Sequence, residues 1–184
     1  MSMNYPQNYT NFNRRPYNPK AAVKQFTDLE VYQKSLEGSV FAAHEVINFL
    51  RASKAQAASA RTGKGKTAAM KAVLGENKAD AYADVIEESI IKSMSITALS
   101  IPHLIAESHS KRFGESTECL KILDEVMLKC NKMAVYLEQI RDICQTGIEA
   151  NRFEEEINKY FYIRRKVLNL QRVWRKYITE NTRT

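Results

Sequence analysis

The sequence predicts an all-α chain: an up-down-up-down four-helix bundle with a disordered N-terminal arm and a long basic connection between helices 1 and 2. Three observations carry this. Apolar residues recur at spacings of three and four through four long stretches, the period of a helix with one buried face. The 184 residues include only six Gly and four Pro, and Pro6, Pro16 and Pro19 all lie near the N-terminus. A β-sandwich or barrel needs many more turn residues, so all-β architectures are excluded. The 44% hydrophobic content is enough for one core, and the length suits one domain.

Residues 1–25 form an Asn-rich, proline-punctuated arm with neither the helical nor the strand period, and disorder is expected there. Its Tyr5, Tyr9, Phe12 and Tyr17 are interleaved with Asn and with Arg14 and Arg15. Aromatics and cations in that order suit stacking on bases or on a protein partner. The bundle is expected over 26–178, with 179–184 as a tail.

Helix 1 opens at Thr27-Asp28-Leu29-Glu30, a capping box in which Thr27 accepts from the Glu30 N–H and the Glu30 side chain reaches back. Phe26 and Val31 are spaced for a hydrophobic staple. Leu29, Tyr32, Leu36, Val40, Ala43, Ile47 and Leu50 then give one apolar stripe to about residue 53. Residues 54–79 break the pattern with Gly63, Gly65 and Gly75 and few large apolar side chains, and read as a flexible basic insertion. Helix 2 is expected from about Asp80, with Tyr82, Ile86, Ile90, Met94, Thr97, Ile101 and Leu104 on one face and a kink at Pro102. Helix 3 spans about Glu115 to Cys144, with Leu120, Leu123, Met127, Cys130, Met133, Leu137 and Ile140 inward and Gly147 as a stop. Helix 4 spans about Arg152 to Ile178 through Phe153, Ile157, Tyr160, Ile163, Val167, Leu170, Trp174 and Ile178. Four such helices, each roughly 37 Å long, have no partners but one another.

The sequence offers no catalytic centre, no cofactor motif and no metal signature, so a non-enzymatic role is expected. Di-metal bundles use Glu-x-x-His, but Phe41, Ser100 and Ala106 stand three residues before His44, His103 and His109. Gly65-Lys66-Thr67 resembles the end of a phosphate-binding P-loop, yet Ala60 occupies the required glycine position and no strand precedes it. Cys119, Cys130 and Cys144 are an odd number without C-x-x-C spacing, as expected of buried thiols in a reducing compartment. No run approaching the ~18 apolar residues of a membrane span is expected, and a cytoplasmic location follows.

Charge is the informative feature. The net +7 is concentrated in three stretches: 1–25, 51–79 (Arg51, Lys54, Arg61, Lys64, Lys66, Lys71 and Lys78 against Glu76) and 157–184. The rest of the chain is net acidic. On helix 4, Arg164, Arg165, Arg172, Arg175 and Lys176 share a sector roughly 120° wide, nearly opposite the apolar stripe. No acid occurs from Ile157 to Thr179. Like charges at helical spacing repel, which a polyanion on that face would relieve. Arginine's planar fork suits phosphate oxygens, and the expected ligand is nucleic acid held by its backbone, with Lys64, Lys66, Arg14 and Arg15 extending the contact. An acidic protein docked on the same face is the alternative.

Two motifs add a resemblance. Phe26-Thr27-Asp28-Leu29-Glu30-Val31-Tyr32-Gln33-Lys34 and Ser100-Ile101-Pro102-His103-Leu104-Ile105-Ala106-Glu107 resemble the opening and the Ser-Ile-Pro-x-Asn-Ile-Ala-Glu-Gly motif of the four-helix bundle proteins encoded in intervening sequences of bacterial 23S ribosomal RNA genes. The order of helices covers 26–178. Leu104 replaces the motif's Asn, Ser108 its Gly, and the Gly-Ser pair usual early in helix 3 is absent from Cys119–Met127. These departures and the added basic segments make the chain more similar to the accessory variability determinants of diversity-generating retroelements. That resemblance implies a homopentamer that binds a reverse transcriptase and its RNA, or an RNA/DNA hybrid, with no membrane association.

Overall fold

The computed structural model describes residues 25–52, 55, 76–112, 116–144 and 146–181. The arm with Arg14 and Arg15, the insertion with Lys64 and Lys66, and the end of the tail lie outside the described residues. Among the described residues there is no strand. A 3₁₀ turn at Phe26–Asp28 leads into α1 (Glu30–Val40), which continues as a π-helical stretch over Phe41–Val46. Then come α2 (Glu76–Lys111), α3 (Ser116–Ile143) and α4 (Ala150–Asn181). α2 packs on α3, α3 on α4, and α1 on both α2 and α4. The four helices surround one apolar core whose largest buried side chains include Phe41, Ile101, Leu123, Leu137, Phe153 and Ile163. Each such side chain contributes roughly 1.5–3 kcal/mol by leaving water.

The entry to α1 is built differently from the expected capping box. The Gln25 N–H donates to Asp28 Oδ2 at 3.0 Å, so the box closes around the 3₁₀ turn. Thr27 caps nothing in α1; its hydroxyl faces Gln25 Oε1 at 3.4 Å. Glu30 is drawn away from the helix terminus by α4, where the Tyr162 hydroxyl donates to it and Lys166 Nζ lies 3.1 Å away. Burial pushes the Glu30 carboxyl up, but these two donors outweigh it and hold the group below the usual carboxylate range.

The inward face of α1 is also rotated from the expected stripe. Val31, Ser35, Gly38, Ser39, Phe41, Ala42, Val46 and Leu50 are buried, whereas Val40 is 48% exposed. Small residues face inward because the neighbouring helices come close. A Cβ on Gly38 would stand 2.7 Å from Tyr160 Oη and 2.9 Å from its Cζ, so only glycine admits that ring.

Against α2 the close approach answers a specific deficit. Pro102 has no N–H, so it cannot donate to the Ala98 carbonyl one turn earlier. α2 nevertheless runs unbroken through Pro102. The Ser39 hydroxyl, buried on α1, reaches across to Ala98 O at 2.7 Å, with Ser35 O at 2.9 Å as its second neighbour. A hydroxyl from another helix thus replaces the missing backbone donor.

α2 has its core face from Met94 to Ile105, through Met94, Ala98, Ile101 and Ile105. Tyr82 and Ile86, expected inward, are 69% and 52% exposed. Ser108 Oγ donates to the Cys119 carbonyl at 3.0 Å. Counting back along α2 from that pair, Tyr82 passes the level at which α3 ends. Contrary to the expectation from the sequence, one segment among the described residues, Tyr82–Lys111, is long and apolar enough to cross a membrane by length and composition, its most apolar 18-residue window having a mean hydropathy of 1.3. In this fold a third of its most apolar window is buried against the other helices. α3 and α4 follow their expected stripes closely, and Gly147 at φ 69° turns the connection between them rather than capping α3 directly.

Ser39→Ala strands a buried carbonyl and is expected to destabilise the fold by about 1–3 kcal/mol in urea unfolding. In a Pro102→Ala background the restored N–H serves Ala98, so the same serine substitution costs less. Equal costs in both backgrounds would refute the compensation.

Candidate nucleic-acid interface

α4 has two halves with opposite charge economies. In its first half each cation has an acid. Arg152 lies 2.9 Å from Glu155 and 3.3 Å from Glu45 on α1, Lys159 pairs with Glu156, and Glu154 is taken by Arg141 of α3. In its second half the pattern stops. Arg164, Arg165, Arg172, Arg175 and Lys176 are all exposed. Among the described residues, Arg164, Arg172 and Arg175 have no ion-pair partner.

Two cations of the second half do have internal tasks. The Arg165 guanidinium lies 5.6 Å from the Tyr162 ring centroid, and Lys166 Nζ lies 5.1 Å from it while pairing with Glu30. Both serve the α1–α4 contact as well as the surface. Arg164 is exposed, yet its charge is felt on α3. Its charge partly offsets the burial that pushes the Cys130 thiol up to about 12. The structure therefore places the five residues of the predicted stripe on the solvent side of α4, with Arg164, Arg172 and Arg175 the least engaged. Lys64, Lys66, Arg14 and Arg15 lie outside the described residues. One further side chain belongs to the face and was missed from charge alone: Phe161, 49% exposed.

The opposite side of α4 is dry. Tyr160, Ile163 and Val167 are fully buried, and Trp174 closes the end of the core against His109, whose other face meets Phe26. Burial, aided by the Arg112 charge, lowers the His109 pKa, so the ring is held neutral. Cys119, Cys130 and Cys144 are buried thiols that are not joined in disulfides. Burial raises Cys119 as it does Cys130, which leaves little thiolate for nucleophilic work. Among the described residues no three His, Cys, Asp or Glu side chains are grouped to hold a metal ion.

Glu156 is the unexpected member of the buried stripe. It is fully buried, and its Oε2 has no hydrogen-bond partner. Burial raises its pKa in spite of Lys159 and Arg152.

Comparison with protein-family models, with curated proteins and with solved structures finds no match for the chain. The class defined by fold and surface is an all-helical, bundle-like protein with an exposed basic face on α4.

A carboxyl whose folded pKa lies above its unfolded value favours the native state when protonated, so its burden appears as pH rises through that window. Glu156→Gln is therefore expected to raise the thermal midpoint at pH 7, with the gain shrinking toward pH 4. Melting curves across that range check it; a gain that does not depend on pH would contradict the assignment.

Proposed function

We propose that the chain is an up-down-up-down four-helix bundle acting as a non-enzymatic RNA-binding accessory protein, with the second half of α4 as its phosphate-contacting face. The topology is supported by contacts that run in opposite chain directions. Glu30 meets Lys166 while Glu45 meets Arg152, and Arg141 meets Glu154 while Asp124 meets Gln171. Ser39 meets Ala98 while Phe26 meets His109.

The observation that carries the functional reading is a set of exposed arginines with no ion-pair partner among the described residues: Arg164, Arg172 and Arg175, on a helix whose first half pairs its cations. Their planar forks match phosphate oxygens, and a helix face of this kind reads backbone rather than sequence. The sequence resemblance adds the particular role: an assistant to a reverse transcriptase, engaging template RNA or an RNA/DNA hybrid as a homopentamer. Repeating one weak basic face around a ring would raise the overall affinity without new contacts.

Titration of a labelled structured RNA at several salt concentrations tests the reading, with light scattering for mass. Affinity is expected to fall steeply with salt, by roughly 0.9 log units per log unit of salt for each duplex phosphate engaged. The triple variant Arg164→Glu, Arg172→Glu, Arg175→Glu should lose at least tenfold in affinity while circular dichroism stays unchanged. Undiminished binding by a folded triple variant would remove α4 from the interface. Binding of an acidic protein but of no RNA would replace the nucleic-acid reading.

A further inference from the structure

Charge alone does not account for Phe161. Phe161 is 49% exposed on α4, so about half of what full burial would contribute for a side chain of this size is forgone. At about 100° per residue it falls inside the sector spanned by Arg164, Arg165, Arg172, Arg175 and Lys176, away from the buried stripe of Tyr160, Ile163 and Val167. Arg164 and Arg165 follow it at the three- and four-residue spacings at which helical side chains are neighbours. The aromatic side chain therefore shares its helix sector with arginines, and Arg164 has no ion-pair partner among the described residues.

Resting on the reading of this surface as an RNA contact, the geometry points to Phe161 as a base-stacking platform, and so to unpaired RNA as the preferred occupant. A duplex keeps its bases stacked on one another and shows a helix mainly phosphates and groove edges, so the ring would find no partner. A single strand offers an open base face beside a chain of phosphates. An aromatic ring within a cationic track takes both, whatever the base. A second copy docked about a two-fold axis is disfavoured, because such a contact repeats the same patch on both sides and would set Arg164, Arg165 and Arg172 against themselves. The polyanion gains from the very charges that a copy would have to desolvate.

The test uses the full chain with Phe161→Ala and Phe161→Trp variants, checked for helicity by circular dichroism. Two labelled probes are compared at equal salt: an unstructured oligouridine of about 12 nucleotides, a length within the range of single-strand sites, carrying one 2-aminopurine, and an RNA duplex of the same length. The wild-type protein should bind the single strand more tightly and quench the 2-aminopurine as it stacks. Phe161→Ala should lose about tenfold on the single strand, with little change on the duplex, and also lose the quenching. Phe161→Trp should keep both.

If wild-type protein binds neither probe at low salt, the RNA-binding reading fails and the stacking assignment goes with it. Equal binding of both probes, unchanged by Phe161→Ala, would leave RNA binding standing and overturn the stacking role. An altered mass in light scattering with unaltered single-strand affinity would also overturn it, and would assign the ring to a contact between copies.

Discussion

A carbonyl without its helical donor sets the spacing of this fold. Pro102 leaves Ala98 O unserved in the middle of α2, in a place water does not reach, and the Ser39 hydroxyl must come within 2.7 Å to serve it. That distance brings the backbones of α1 and α2 together, so α1 can turn only small side chains inward at that level. Gly38 and Ser39 are adjacent for this reason: one admits the Tyr160 ring of α4, the other reaches α2. The π-helical stretch Phe41–Val46 follows immediately and presents Phe41, Ala42 and Val46 to the core beyond the close contact. One hydrogen bond and one missing side chain thus fix α1 between its two neighbours.

The same close packing lets α4 carry charge that an isolated helix would resist. Its buried side is anchored by Phe153, Tyr160, Ile163 and Val167, and by Gln171, whose amide donates to Asp124 and to the Leu120 carbonyl of α3. Against that burial, repulsion of a few tenths of a kcal/mol for each cation pair at helical spacing is small. The repulsion is therefore affordable without an anion, but it is relieved by one.

Large apolar residues at helical spacing made α3 and α4 legible, since each has a continuous stripe of Leu, Ile, Met or aromatic side chains that packing simply uses. α1 was legible as a helix but not in its rotation. Its inward face is made of Ser, Gly and Ala, which a search for large apolar side chains passes over in favour of Val40 and Leu36. The first turns of α2 misled for another reason: Tyr82 and Ile86 keep the helical period yet are exposed, Tyr82 passing the level at which α3 ends and Ile86 lying level with its last turn. Glu30 shows a limit of local motifs, since its cross-helix partners Tyr162 and Lys166 lie far along the chain and outbid the capping position. The charged stripe was readable from angle alone. That Arg165 rests on Tyr162, and that Glu156 is buried among apolar neighbours, required the packing.

The division of α4 into a paired and an unpaired half limits what one copy can do. The run from Phe161 to Lys176 covers roughly 24 Å of helix, the span of about seven phosphates on one strand at 3.4 Å each. Arg164, Arg165, Arg172 and Arg175 in that run stand without ion-pair partners among the described residues, with Arg165 resting on the Tyr162 ring, and side chains on a straight helix diverge from any one strand path. Three or so phosphate contacts per copy give a modest salt dependence and an affinity in the range of non-specific binding. In the first half Glu154 and Glu155 are matched by Arg141 and Arg152, so that half offers no surplus positive charge to a strand that continues past Phe161. A single face therefore holds a short segment in a defined place along the helix, and length of contact must come from repetition of the face rather than from its extension.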